Sequence, residues 1–264
     1  MKKKAMLVVS FGTTHSDTRQ KTIDMIEQNI AEAFPDYKIY RAWTSKMIIA
    51  KLAARDGIII DNVSEAMERI KKDGITEVVV QPTHIVNGIE NNAMVEDVKK
   101  NANDINSIVF GNPLLTEQED YDRVIDILMG EMDEIPADTA LIFMGHGTTH
   151  HANATYCALD YKFKDRGYKN VFVGTVEAYP SLETLIKNVN AAGFTKVIIT
   201  PFLVVAGEHA KNDMSGDDEG SWRNRFESSG FSVSCLVKGI GEYRGIRDMF
   251  AVHALDAILN KEQI

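Results

Sequence analysis

The chain has 264 residues, enough for one large core or two small ones. Its composition, 44% hydrophobic and 25% charged, is that of an ordinary globular protein, and no apolar run approaches the roughly 20 residues a membrane-spanning helix needs. A net charge of −9 speaks against nucleic acid as a partner, because phosphate binding wants a basic face.

The opening "MKKKAMLVVSFG" has a charged start, but its apolar stretch is short, β-branched and runs straight into a glycine turn. That predicts a buried first strand rather than a signal peptide, and with it a cytoplasmic protein with no membrane partner. A helical pattern follows over 16–34, then a strand over 37–43, a helical stretch over 44–57 and a helix over 64–74 that ends at glycine. Strands are predicted at 76–82 and 107–111. The second half begins with a strand at 140–145 and a helical pattern over 151–167. A strand at 170–176, a helix over 181–193, strands at 195–201 and 232–237 and a closing helix complete it. The two cysteines, Cys157 and Cys235, match no metal-ligand spacing and are expected to be reduced and structural.

The halves repeat one another. "AMLVVSFGTTH" at 5–15 aligns with "ALIFMGHGTTH" at 140–150, an offset of 135. "GITEVVVQPTHIVNG" at 74–88 aligns with "GFTKVIITPFLVVAG" at 193–207, an offset of 119. Two matches in the same order indicate an internal duplication. The difference, 135 − 119 = 16, places 16 extra residues in the first half, most of them assigned to the helical stretch "TSKMIIAKLAARDG" at 44–57. Short β-branched strands alternating with helices predict an α/β fold. It would consist of two similar lobes, each a parallel four-stranded sheet flanked by helices, related by a pseudo-twofold. Residues 1–116 form the expected first lobe and 117–264 the second, with the chain broken at "EIPAD" (134–138). Whether the closing helix packs back onto the first lobe is left open. Ligands of such sheets bind beyond the carboxyl ends of the strands, so facing strand ends would make a cleft.

Positions where the copies differ in chemical type are the candidates for function. Phe11 of one half corresponds to His146 of the other, both following the first strand. Glu90 corresponds to His209 at the offset of 119, both just past an equivalent glycine. Two imidazoles at strand ends of one lobe suit divalent Co, Fe, Ni or Zn, and a nearby carboxylate would complete an open three-ligand site. Glu177 and Glu90 are the available acids. His15, His84 and His253 read as structural, and His151 as a helix-start residue. "HAKNDMSGDDEGSW" at 209–222 reads either as a solvated loop or as a lid and metal path, with Asp213, Asp217, Asp218 and Glu219 as oxygen donors. No P-loop, dinucleotide fingerprint or nucleophile elbow occurs, so neither nucleotide binding nor serine hydrolysis finds its usual residues.

Several stretches together identify a family resemblance: "LVVSFGTTHSDT" (7–18), "MIIAKLAARDGIIID" (47–61), "HIVNGIE" (84–90), "NPLL" (112–115), "FMGHGTTHHANATYCALD" (143–160), "GTVEAYP" (174–180) and "VAGEHAKNDMSGDD" (205–218). The chain resembles, essentially end to end, the anaerobic cobalt chelatases of cobalamin biosynthesis, within the class II tetrapyrrole chelatases. The resemblance implies that His146 is proton acceptor and metal ligand, with His209 and Glu177 the other metal ligands. Glu90 would help handle the protons of the tetrapyrrole or the incoming metal, and Phe11 would line the macrocycle pocket. It also implies sirohydrochlorin and a divalent metal ion as substrates, Co²⁺ with Fe²⁺ as the alternative giving siroheme, and no organic cofactor. A non-catalytic carrier of metal or tetrapyrrole is the reading of another class. The eight carboxylates of the macrocycle would need cations, for which Arg41, Lys46 and Arg55 are candidates. The sequence leaves a homo-oligomer open.

Overall fold

The computed structural model describes residues 3–260, so residues 1–2 and 261–264, the outermost ends of the two expected lobes and part of the charged start, lie outside the described residues. The fold divides into two compact units. One takes the chain up to Thr116 together with the chain from Arg244 onward, and the other runs Glu117–Tyr243.

In the first unit, β1 (Lys4–Ser10) is buried at every residue after Lys4, as a strand covered on both faces must be. Next come α1 (Ser16–Lys21), α2 (Ile23–Ala33), β2 (Lys38–Trp43), α3 (Lys46–Asp56), α4 (Val63–Lys72), β3 (Glu77–Pro82), α5 (Ile89–Lys100) and β4 (Ser107–Phe110). The sheet is parallel in the order β2-β1-β3-β4. The single helix expected over 16–34 is two. Buried Thr22 donates its hydroxyl back to the Thr18 carbonyl at 2.6 Å, and the backbone leaves the helical region there. The helix over 64–74 starts at a reciprocal capping box between Asn62 and Glu65, which satisfies two of its free N–H groups.

The second unit runs α6 (Gln118–Gly130), β5 (Thr139–Gly145), α7 (Ala154–Asp165), β6 (Val171–Thr175), α8 (Leu182–Ala191), β7 (Lys196–Pro201), α9 (Trp222–Ser228) and β8 (Ser232–Cys235). A short 3₁₀ turn at His151–Asn153 precedes α7, and a π-helical turn at Ala210–Met214 follows β7. Its parallel sheet has the order β6-β5-β7-β8, the same order as in the first unit. The duplication is thus present in the topology. The helix without a counterpart is α3, inside the stretch assigned to the insertion. Helices α5 and α9, which the sequence pattern left unassigned, fill the remaining crossovers, while α6 leads from β4 to β5. A parallel pair cannot be joined by a tight turn, so each needs one.

Each unit has its own core. The first gathers Leu7, Val9, Met67, Ile70, Val80 and Met94, the second Ile142, Met144, Leu185, Ile199, Met214 and Trp222. The closing helix, α10 (Arg244–Leu259), belongs to the first unit, where it packs on α2, β3 and β4. Ile246, Phe250 and Ala254 are its fully buried side chains, Asn29 donates to Asp248 at 2.5 Å, and His253 Nδ1 donates to the Asn112 carbonyl at 3.1 Å. Among the described residues no helix is long and apolar enough to cross a membrane.

Candidate metal centre

The second unit places its three suspected ligands in the loops that follow the carboxyl ends of adjacent strands. His146 directly follows β5, and its position depends on the turn after it. Gly147 adopts φ +86°, and a Cβ there would sit 2.9 Å from the Thr175 Cβ and 3.0 Å from the Ala178 backbone, so only glycine fits. Below the turn, burial pushes the Tyr156 phenol up to about 12, against hydrogen bonds with the backbone of Gly147 and His146. The ring therefore stays neutral as it packs beneath the loop. Asn153 stitches this loop to the next one, accepting from the Thr148 N–H at 3.1 Å and donating to the Tyr179 carbonyl at 2.6 Å. Glu177 is fixed by its own N–H, which donates to the His146 carbonyl at 2.9 Å. His209 lies two residues after Gly207, in the helical turn that opens at Glu208, with the Lys211 N–H donating back to the Gly207 carbonyl at 3.0 Å.

One ligand atom from each of His146, Glu177 and His209 lies within 4.8 Å of the others. The imidazoles stand perpendicular with centroids 4.6 Å apart, and His146 Nδ1 is 3.7 Å from Glu177 Oε2. His146 Nδ1–H donates to the Gly147 carbonyl at 2.9 Å, and His209 Nδ1–H donates to Asp213 Oδ2 at 2.5 Å. Each ring therefore keeps Nε2 as the nitrogen with a free lone pair. The three side chains are 36–57% exposed, so a metal held here can exchange. Two neutral nitrogens and one carboxylate, with coordination positions to spare, are a donor set for divalent Co, Fe or Zn.

Backbone hydrogen bonds show which residues of the two units correspond. Val176 and Glu177 donate to the Gly145 and His146 carbonyls, as Thr44 and Ser45 donate to those of Ser10 and Phe11. The pairing of Phe11 with His146 follows, and so does one that the sequence comparison missed, Ser45 with Glu177. Ser45 accepts from the Ile48 N–H at 3.4 Å and caps α3. The position that carries an acid in one unit starts the inserted helix in the other. Its sequence signal was blurred because that residue lies inside the stretch assigned to the insertion, 44–57. Glu90 corresponds to His209: the Asn92 N–H donates to the Gly88 carbonyl as Lys211 does to that of Gly207.

In the first unit, Phe11 is 45% exposed at the end of β1 and Glu90 is exposed in the first turn of α5. Arg41 does not serve as a free cation, because its guanidinium is committed to Glu27 at 2.5 and 2.7 Å and to Asp24. Arg55 is held by Asp56 and by the Thr14 carbonyl, which leaves Lys46, exposed at the first position of α3. The stretch 209–222, expected as a loop or lid, begins helically instead, with Ala210 and Met214 buried in the core. Asp217 pairs with Arg223, and Asp218 accepts from the Gly220 N–H. The ring nitrogens of His84 are buried in the first unit, and that burial lowers its pKa to about 4.

A sirohydrochlorin cobaltochelatase of Salmonella typhimurium is 39% identical over 256 residues, which is 97% of either chain. The sirohydrochlorin cobaltochelatase CbiKC of Nitratidesulfovibrio vulgaris is 31% identical over 98% of this chain and 92% of its own. The solved structure of SirB from Bacillus subtilis with Fe³⁺ superposes with a TM-score of 0.69 at 14% identity, covering 100% of this chain and 98% of that one, a likeness of fold. The cobalt chelatase (CbiK) profile matches residues 4–259, and the chain belongs to that family.

Proposed function

We propose that the chain inserts Co²⁺ into sirohydrochlorin, as a chelatase that uses neither nucleotide nor organic cofactor. The observation that carries this reading is the convergence of His146, Glu177 and His209, from three strand ends, on one exchangeable metal position. Chelation requires that the metal shed water, that two pyrrole N–H protons leave, and that the ring nitrogens reach the metal. The three residues would hold Co²⁺ weakly enough to release it. His146 would then take a proton, for which neutral imidazole suits conditions near pH 7. Glu90 would handle the remaining proton traffic, and Phe11 would pack against the flat macrocycle. The cytoplasmic setting expected from the sequence belongs to the same reading. Its support is the family membership and the names of two relatives matched over nearly their whole lengths.

The test follows the absorbance of sirohydrochlorin anaerobically with Co²⁺ or Fe²⁺, with and without protein, alongside His146→Ala. Protein-dependent metallation that disappears in the variant is expected, faster with Co²⁺. Faster insertion of Fe²⁺ would move the reading to siroheme formation. Tight binding of metal or macrocycle without acceleration would replace the enzyme by a carrier.

A further inference from the structure

The two imidazoles of the metal centre are held by unlike partners. His146 Nδ1–H meets a neutral carbonyl, that of Gly147, whereas His209 Nδ1–H meets the carboxylate of Asp213. A carboxylate behind a ligating histidine fixes the tautomer and the ring plane and strengthens the opposite nitrogen as a donor to metal. An amide carbonyl orients the ring with less charge behind it.

The placement of Asp213 follows from a one-residue change of register. Glu90 and His209 are 119 apart, but the next matching methionines, Met94 and Met214, are 214 − 94 = 120 apart, and both are buried. The additional residue is absorbed by the π-helical turn at Ala210–Met214, a feature that recurs at functional sites. Met214 thereby keeps the inward phase of Met94, and Asp213 comes to rest against His209. In the first unit "NAM" at 92–94 stands where the second has "NDM" at 212–214, so alanine occupies the corresponding place. The carboxylate and the extra residue occur together, in the unit that carries the histidines.

We infer that Asp213 is a positioning residue that makes His209 the anchoring ligand of the metal, leaving His146 as the ligand that lets go. This rests on the triad reading above. When His146 Nε2 leaves the metal its lone pair is free. A pyrrole N–H bond then breaks, its electron pair stays on the pyrrole nitrogen that binds Co²⁺, and the proton passes to His146 Nε2. His209, backed by Asp213, holds the metal meanwhile.

The experiment titrates Co²⁺ into the full chain and into Asp213→Asn, Asp213→Glu, Asp213→Ala, His209→Ala and His146→Ala, with circular dichroism and Tm as the check on folding. Asp213→Asn is expected to weaken Co²⁺ binding by about 10–100-fold, with Asp213→Glu recovering most of it. His209→Ala should weaken binding more than His146→Ala does. The readout that a merely structural role would leave unmoved is the ¹H–¹⁵N spectrum of the His209 ring in the metal-free protein. The Nδ1–H tautomer should dominate, and should give way to Nε2–H in Asp213→Ala. Unchanged affinity and tautomer in the Asp213 variants, with His209→Ala still destroying binding, overturn the proposal and leave the triad standing. A wild type that binds no Co²⁺, or a His209→Ala protein indistinguishable from it, overturns both.

Discussion

The two units wind the same sheet in the same order and diverge where the strands end. One ends β5, β6 and β7 in His146, Glu177 and His209. The other ends the corresponding strands in Phe11, Ser45 and Glu90. The shared positions are backbone devices. Gly12 and Gly147 both take positive φ, and each faces a side chain that closes the neighbouring strand, Trp43 or Thr175. The scaffold that aims a residue at the strand ends was retained in both copies, while the residue being aimed changed. Conversely, His84 stands in the first unit where the second has Leu203 at the offset of 119. Each copy therefore keeps polar groups where the other is apolar, and only one bundle of strand ends gathers the three side chains proposed to hold a metal.

The sharpest break of the comparison is to make the second unit resemble the first. His146→Phe should reduce metallation by about 10²–10⁴-fold, the usual contribution of a positioned acid–base group, while Phe11→Ala should mainly raise KM for the macrocycle. Steady-state kinetics with Co²⁺ separates the two, and a His146→Phe protein with unimpaired turnover would end the assignment.

The next contrast is one of pH. The folded pKa of His84, about 4, lies below its ordinary 6.5, with burial as the first cause and the Asn91 side chain opposing. Between these values the unfolded chain binds the proton and the folded one does not, so stability is full above about pH 6.5 and falls as pH drops towards 4. The loss should reach about 3 kcal/mol. His84→Leu, which installs the residue of the second unit, should flatten that part of the Tm–pH curve, and an unchanged curve would refute the assignment.

Gly147→Ala should cost roughly 1–3 kcal/mol through positive φ and the contact with Thr175, and should weaken Co²⁺ binding as well. Gly12→Ala, with its contact to Trp43 at 2.6 Å, should cost stability and leave Co²⁺ binding alone. Equal effects of the two on binding would mean that the turn does not aim His146. The smallest effect belongs to Ser45→Ala, about 1 kcal/mol from loss of the α3 cap with no change in metal affinity. Glu177→Ala should do the reverse, lowering affinity with little change in Tm.

Much of this was legible in the sequence because β-branched strands and repeated glycine turns are local signals. The duplication, the extra helix in the first half and the two histidines that break the repeat could all be read by aligning the chain with itself. The third broken position could not. Glu177 lies opposite Ser45, and Ser45 falls within the stretch assigned to the insertion, so the alignment lost register where it was needed. The π turn was hidden for the same reason on a smaller scale, one residue that shifts 119 to 120. Arg41 looked like a free cation because sequence does not show that Glu27 and Asp24 fold against it. Helices α5 and α9 carry mixed patterns, and the need to cross over between parallel strands decides them instead.

The return of α10 to the first unit has a consequence for the order in which the protein is made. The second unit is one uninterrupted segment, Glu117–Tyr243, and can close its core as soon as it has emerged from the ribosome. The first unit is begun earlier but lacks the helix that covers α2, β3 and β4 until α10 has been made, after the whole of the second unit. Its sheet must wait, with apolar surface uncovered, while the second unit closes. The half of the chain synthesised first is thus the half finished last.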